Sequence, residues 1–156
     1  MVKKTDLHRS KVEVRTCGLG IGVFARQTIG AGEAVISLPQ AFTTIRDRYT
    51  IQLGERRHQM YTSDPDDFVN HSCRPNCRLD VESSQFVALV QISPGQEVTF
   101  NYLSSEWEMV EPFTCVCEGR ERLIRGYRFL SPEEQQELRP LVPRWLLATH
   151  ARPSTS

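Results

Sequence analysis

Apolar and polar residues alternate in short runs along the first quarter of the chain, and glycines separate these runs. Residues 11–16 read KVEVRT and residues 23–29 read VFARQTI, while CGLGIG between them contains three glycines. Alternation with a period of two predicts half-buried strands, and intervening glycines favour tight turns over a helix. The pattern predicts a hairpin here and a further strand within residues 30–38, GAGEAVISL.

The pattern becomes irregular and polar from Gln40 to Asp64, where we expect a short helix and a strand. Three more strands are predicted after it, in CRLDVE (77–82), QFVALVQI (85–92) and EVTFNY (97–102). The fold class expected from these patterns is mainly β with small helices.

The chain changes character after Tyr102. Residues 103–130 contain aromatic residues and thiols without periodicity, which predicts a loop-rich segment packed onto the rest. Ser131, Pro132 and Glu134 form a capping-box signature, so a helix is predicted over residues 132–138. RWLLATH (144–150) predicts one or two further helical turns, and we expect residues 151–156 to be disordered.

Composition narrows the class of protein. The chain has 156 residues, 39% hydrophobic and 24% charged, which is typical of one soluble globular domain. Its 19 basic and 19 acidic residues cancel, so the clustered positive charge of a dedicated nucleic-acid binder is not indicated. The longest apolar runs have strand length. We therefore expect no direct nucleic-acid partner and no membrane span.

Five cysteines, an odd number, accompany an N-terminus in which no apolar run follows the basic residues. This pattern indicates neither a signal peptide nor a disulfide framework. It predicts a reducing compartment, cytoplasmic or nuclear, where thiols serve as metal ligands, reactive groups or small core residues.

Two segments carry candidate chemistry. Gly20-Ile21-Gly22 could let backbone amides approach a ligand closely, or could simply turn the chain. VNHSCRPNC (69–77) contains polar residues that either bind a ligand or satisfy one another within a loop. Its two thiols and the distant pair Cys115 and Cys117 leave a metal site open, because tetrahedral thiolate sites often combine distant pairs.

Four segments in this order, GLGIGVFA, FVNHSCRPNC, GQEVTFNY and FTCVC, resemble the SET-domain family of protein lysine methyltransferases with its cysteine-bearing post-SET tail. The resemblance extends from Lys11 to Leu130. It implies a SET domain over residues 11–103, a post-SET-like segment over 104–130 and a C-terminal helix and tail over 131–156. It also implies that the segment leading to Tyr102 is threaded beneath a neighbouring loop, a pseudoknot-like topology that most folds avoid.

The resemblance also implies roles for individual residues. S-adenosylmethionine would lie along the glycine turn and contact the Asn-His pair, with an aromatic residue of the tail on its adenine. Tyr102 would be the main catalytic residue and would also contact the cofactor. The cofactor residues implied in this way are Gly20, Ile21, Gly22, Asn70, His71, Tyr102 and Phe113. The implied zinc ligands are Cys77, Cys115 and Cys117.

Two departures from the family pattern matter. The third tail cysteine is missing, so zinc would need Glu118, a histidine or water as its fourth ligand, or the metal is lost and the thiols are packed. Leu79 stands where many relatives have a second tyrosine, which leaves the number of methyl groups and the acceptor open. Trp107 could lie near the cofactor or in the core.

Three functions are compatible with these residues. The first is S-adenosylmethionine-dependent methyl transfer to a lysine of a protein or peptide, an in-line displacement that depends on positioning and electrostatics. The second keeps the cofactor but transfers the methyl group to a small-molecule amine or other nucleophile. The third is a catalytically silent SET-like module that binds a partner.

Overall fold

The computed structural model describes residues 11–18 and 20–150, apart from the side chain of His150. The predictions made for the N-terminal ten residues and for residues 151–156 lie outside this range. The described residues form two compact units, unit 1 within Met1–Gln40 and Tyr61–Asn101, and unit 2 within Ala41–Met60 and Tyr102–Ser156. Strands predominate in the described chain, which confirms the mainly β class.

Unit 1 begins with the predicted hairpin. Strand β1 (Val12–Cys17) pairs antiparallel with β2 (Gly20–Ala25), and Cys17 lies opposite Gly20. Gly20 has φ of +126°, a conformation that an L side chain rarely adopts, so a glycine suits this end of the turn. The buried end of β2 consists of residues 22–25, which places the exposed Gly20 and Ile21 at the turn end of the hairpin.

The second sheet of unit 1 has the order β3-β9-β8, formed by Ala34–Ser37, Gln85–Ala88 and Cys77–Asp80. Side chains of β8 and β9 alternate between buried and half-buried positions, as their sequences predict. Phe86, fully buried on β9, packs against Phe100 with ring centroids 4.9 Å apart. This pair links the sheet to the strand that precedes Tyr102.

That strand, β10 (Thr99–Phe100), pairs with β7 (Asn70–His71), and the pairing is parallel. The amide of Ser72 extends the ladder by donating to the backbone oxygen of Phe100 at 3.0 Å. The chain between the two strands contains the β8–β9 hairpin, so β10 returns alongside β7 only after that hairpin. The parallel pairing therefore joins two segments that are 29 positions apart in the sequence.

Unit 2 contains two small sheets that the sequence pattern does not reveal. Residues 41–60 form an antiparallel sheet of order β4-β6-β5, made of Phe42–Thr43, Arg57–Gln59 and Ile51–Gly54. The short helix expected there is wrong, because both ends of this segment are held in backbone ladders. The segment expected to be loop-rich contains a hairpin of β11 (Phe113–Cys115) and β12 (Arg122–Ile124).

Two short helices close unit 2, α1 (Pro132–Leu138) and α2 (Arg144–His150). The capping box is confirmed: the amide of Glu134 donates to the Ser131 hydroxyl at 3.2 Å, and Glu134 Oε2 accepts the Ser131 amide at 2.8 Å. Within the part of the chain that the structure describes, no helix has the length and apolar character needed to cross a bilayer.

The core of unit 2 forms around Tyr127, Val142 and Leu146. Trp107 packs against this cluster, and its ring centroid lies 6.3 Å from that of Tyr127. Of the two locations that the sequence left open for Trp107, the structure therefore shows the core. Gly126 is also fixed here: its φ is +128°, and a Cβ at this position would lie 2.6 Å from the backbone of the facing segment.

Candidate active site

Asn70, the first residue of β7, connects three segments of unit 1 that are distant in sequence. Its Nδ2 donates one hydrogen bond to the backbone oxygen of Ile21 at 3.0 Å and another to Glu97 Oε1 at 2.8 Å. An asparagine amide has two N–H donors, and both are used here. The glycine turn, the loop that starts at Asn70 and the GQEVTFNY segment therefore meet at one side chain.

Gly22 permits this meeting. A Cβ at position 22 would lie 2.7 Å from Glu97 Oε1 and 3.3 Å from Asn70 Nδ2. Real Cβ atoms essentially never come as close as the first of these distances. A side chain at this position would force the end of the Glu97 side chain to shift, so the glycine leaves room for this packing whether or not a ligand also approaches it.

Asn76 ties the same loop to the backbone of the third segment. Its Nδ2 donates to the backbone oxygen of Glu97 at 2.8 Å, and its Oδ1 accepts the amide of Thr99 at 2.9 Å. The Asn76 side chain thus makes the two backbone hydrogen bonds, on either side of residue 98, that a neighbouring strand would otherwise make. Together with the β7–β10 pairing, this contact fixes the course of the chain up to Phe100, two residues before Tyr102.

Tyr102 begins a 3₁₀ turn, Tyr102–Ser104, in unit 2. Its backbone oxygen accepts the amides of Ser105 and Glu106 at 3.1 and 2.9 Å, so the turn is closed by hydrogen bonds. The Tyr102 ring meets the ring of Phe113 edge-on, with centroids 5.9 Å apart and an interplanar angle of 72°. The two aromatic residues singled out by the resemblance within this unit are therefore neighbours.

Glu106 is a half-buried acid two residues after this turn. Its Oε1 accepts the amide of Gln52 at 2.9 Å, and Gln52 Oε1 in turn accepts the amide of Trp107 at 3.0 Å. Burial raises the pKa of Glu106 to about 7, although the Gln52 hydrogen bond, Arg46 and Ser105 oppose this shift. No motif in the sequence singles out Glu106, because its partner lies more than fifty residues earlier.

The thiols differ in their suitability for a metal. Cys77 is completely buried in β8, and burial raises the pKa of its thiol to about 12. A zinc ligand must be the thiolate, and a bound metal would itself lower the pKa of a coordinating thiol, so the role implied for Cys77 stays a prediction. Cys73 is half-buried, and its Sγ lies 3.4 Å from His71 Nε2, which makes it a better candidate in the same unit.

Cys115 and Cys117 lie in unit 2, with their Sγ atoms 3.0 Å apart. Two thiolates on one tetrahedral zinc ion, each with a bond of about 2.3 Å, would lie about 3.8 Å apart. Cys117 is exposed, so a small rotation could provide that separation. The pair fits half of a zinc site, and its metal role stays a prediction.

Comparison with known proteins identifies the family. A protein-family model described as the SET domain matches residues 20–103, more than half of the chain. The chain belongs to the SET-domain family. This confirms the SET-domain part of the resemblance, because the match includes the glycine turn, the Asn-His loop and the segment up to Tyr102. The FTCVC segment lies outside the matched residues, and the post-SET character of the tail stays a prediction.

The SET domain is similar to several named methyltransferases. Methyltransferase flvH of Aspergillus flavus is 44% identical over 60 residues, 36% of this chain and 33% of that protein. Histone-lysine N-methyltransferase set9 of Schizosaccharomyces pombe is 30% identical over 122 residues, 69% of this chain and 27% of that protein. The chain therefore spans about a third or less of the length of these relatives.

A solved structure supports the same fold. The crystal structure of KRYPTONITE in complex with mCHH DNA, an H3(1-15) peptide and SAH matches with a TM-score of 0.51 and 27% sequence identity. The match covers 69% of this chain and 27% of that one. The family and this similarity support S-adenosylmethionine as the cofactor of the SET domain.

The structure brings some of the implied residues of this SET domain together within each unit. Ile21 and Gly22 adjoin Asn70, His71 pairs with Phe100 in the parallel ladder, and Phe113 adjoins Tyr102. Their individual roles toward a cofactor stay predictions, as do the three domain boundaries. Leu79 is buried in β8 opposite Phe86, so in this SET domain the position belongs to the core.

Sequence reasoning missed the part that Glu97 and Asn76 have in this SET domain. In the sequence, Glu97 is only an acidic residue inside a strand-forming segment, and Asn76 is only an asparagine after a proline. Both patterns are also common in ordinary turns, so neither identified a functional contact. Only the fold shows that both residues hold the Asn-His loop.

Proposed function

We propose that the chain is an S-adenosylmethionine-dependent methyltransferase that transfers a methyl group to the lysine amine of a protein. The observation that carries this proposal is the convergence at Asn70 of the glycine turn and the Glu97 segment, within a SET domain. Histone-lysine methyltransferases among its relatives, and a similar structure that contains a histone peptide and SAH, support a lysine-bearing protein as acceptor.

The residues of the chain would contribute binding and orientation. Ile21, Gly22 and Asn70 would hold S-adenosylmethionine, which supplies a methyl group on a sulfonium. A lysine amine with a pKa of about 10.4 costs roughly 4.6 kcal/mol to deprotonate at pH 7, so the site must favour the neutral form. An apolar surrounding lowers that pKa.

Tyr102 would orient the reacting groups through its hydroxyl. A phenol oxygen can accept weak C–H contacts from a polarised methyl group, each worth about 0.5–1 kcal/mol. Phe113, edge-on to the Tyr102 ring, would restrict the ring to one orientation. Because no covalent intermediate is needed, positioning of this kind is the main contribution expected from the protein.

The direct test is intact-mass spectrometry of candidate acceptors after incubation with labelled cofactor. Tyr102→Phe should slow methyl transfer by a few kcal/mol of barrier, on the order of a hundredfold, while the affinity for S-adenosylhomocysteine stays nearly unchanged. Tyr49→Phe is the matched control, since Tyr49 is exposed and lies in the same unit. Equal effects of both substitutions on the rate would contradict the role of Tyr102.

A small-molecule amine is the second candidate acceptor. Leu79 occupies the position at which many relatives carry a tyrosine, and one relative is named only as a methyltransferase. Parallel assays with a peptide array and a panel of small amines distinguish these acceptors. Transfer to the amines alone would replace the protein-lysine proposal. We also propose a reducing compartment, cytoplasmic or nuclear, which is consistent with the five cysteines of the chain and which cell fractionation can check.

A further inference from the structure

We propose that Glu97 is a positioning residue for the cofactor and that it acts through Asn70. Its carboxylate accepts a hydrogen bond from Asn70 Nδ2 at 2.8 Å and thereby fixes which atom of the Asn70 amide is available to a ligand. This inference rests on the proposed function, because it assigns Glu97 to the binding of the same cofactor.

The two ends of an asparagine amide have nearly the same shape but opposite hydrogen-bonding character. In this site the Nδ2 group faces two acceptors, the backbone oxygen of Ile21 and the carboxylate of Glu97. A flip of the amide would place Oδ1 against both acceptors and lose both bonds. Because the bond to the carboxylate is charge-assisted, it is the stronger of the two. Oδ1 then remains as an acceptor for an N–H donor of the ligand.

The backbone of Glu97 is itself held in place. The backbone of Glu97 bridges to Phe24 of β2 and accepts Asn76 Nδ2, while the neighbouring Val98 amide donates to Val23 at 2.7 Å. The missing side chain at Gly22 leaves the space that Oε1 occupies. The backbone that carries the Glu97 side chain is therefore fixed beside Asn70, as a positioning residue requires.

The chain also contains a matched control pair outside the Asn-His loop and the glycine turn. A Cβ at Gly30 would lie 2.8 Å from Glu33 Oε1, and that carboxylate accepts the Gly30 amide at 3.0 Å. Gly30 and Glu33 thus reproduce the close approach of a glycine and a glutamate in the same unit. Substitutions there report the effect of such a contact on folding alone.

The experiment measures the dissociation constant for S-adenosylhomocysteine by calorimetry, and thermal unfolding, for the full chain and its variants. Glu97→Ala should weaken binding by about tenfold or more, the value of a hydrogen bond to a charged group. Glu97→Gln should restore much of this loss, because its side-chain oxygen can still accept from Asn70. Glu33→Ala should leave the affinity unchanged while lowering the melting temperature.

Gly22→Ala provides an independent test, since its new methyl group must displace the Glu97 carboxylate. It should weaken binding, and the loss in the double variant with Glu97→Ala should be smaller than the sum of the two single losses, because both changes disturb the contact between Glu97 and Asn70. Unchanged affinity in Glu97→Ala, or equal loss in Glu97→Gln and Glu97→Ala, would overturn the inference while leaving the proposed function intact. An unmodified chain that fails to bind would overturn both.

Discussion

Glu106 provides a quantitative test of the electrostatics of unit 2. Burial raises the pKa of its carboxyl group from 4.5 to about 7 in the folded protein. Each unit of pKa difference between folded and unfolded states corresponds to about 1.4 kcal/mol, so the total effect is about 3 kcal/mol. Glu106→Gln removes the charge but keeps an oxygen that can accept the Gln52 amide.

The sign of the effect follows from which state holds the proton. Between pH 4.5 and about 7 the folded protein retains a proton on Glu106 that the unfolded chain has released. Stability contributed in this way is present at low pH and is lost as the pH rises through this window. The Gln variant should therefore be nearly as stable as the unmodified protein at pH 5 and about 3 kcal/mol more stable at pH 8.

Urea unfolding of both proteins at pH 5 and pH 8 measures this difference directly. Glu137→Gln is the control, because Glu137 is exposed on α1 and the substitution should change stability little at either pH. If the two proteins instead differ in free energy of unfolding by the same amount at pH 5 and at pH 8, that result refutes the assignment of a raised pKa to Glu106.

Three further predictions concern other residues. Asn70→Ala should weaken the binding of S-adenosylhomocysteine, measured by calorimetry, more than it lowers the stability of the fold. A loss of stability without a loss of affinity would contradict the cofactor role of Asn70. Gly126→Ala should lower the free energy of unfolding by more than about 2 kcal/mol, because its new Cβ would clash with the facing backbone. Gly119→Ala, whose Cβ would meet open space, should lower it by only about 1 kcal/mol. Equal losses in the two variants would argue against the clash at position 126. Any zinc that copurifies should disappear in Cys115→Ser and remain in Cys77→Ser, as metal analysis would show.

Local signals in the sequence predicted the elements that depend on local interactions. The β1–β2 hairpin follows from alternation around a glycine turn, and α1 follows from Ser131 and Glu134, whose reciprocal bonds span three residues. Residues 41–60 could not be predicted in this way. Strand β4 has only two residues and pairs with β6 fifteen positions later, so its conformation depends on a partner rather than on its own sequence.

The residues of the candidate site also differ in whether local sequence or distant contacts determine their role. Asn70, His71 and Tyr102 could be named from short motifs whose residue types carry the chemistry. Glu97 could not be assigned a role, because its contact with Asn70 spans 27 positions and depends on the course of the backbone. For Cys77 the spacing suggested a zinc ligand, which stays a prediction, and strand alternation directs its thiol into the core.

The parallel pairing of β7 and β10 also affects how the protein folds. The two strands are separated by almost thirty residues, so pairing them costs the conformational entropy of closing a long loop before any hydrogen bond forms. This entropy cost is smaller if the intervening β8–β9 hairpin has already formed and shortened the loop. The junction at Asn70 should therefore be completed late in folding, after local hairpins exist. Chains arrested at that stage would contain most of their strands yet bind no cofactor, and a ligand that occupies the finished site would favour the native state by mass action.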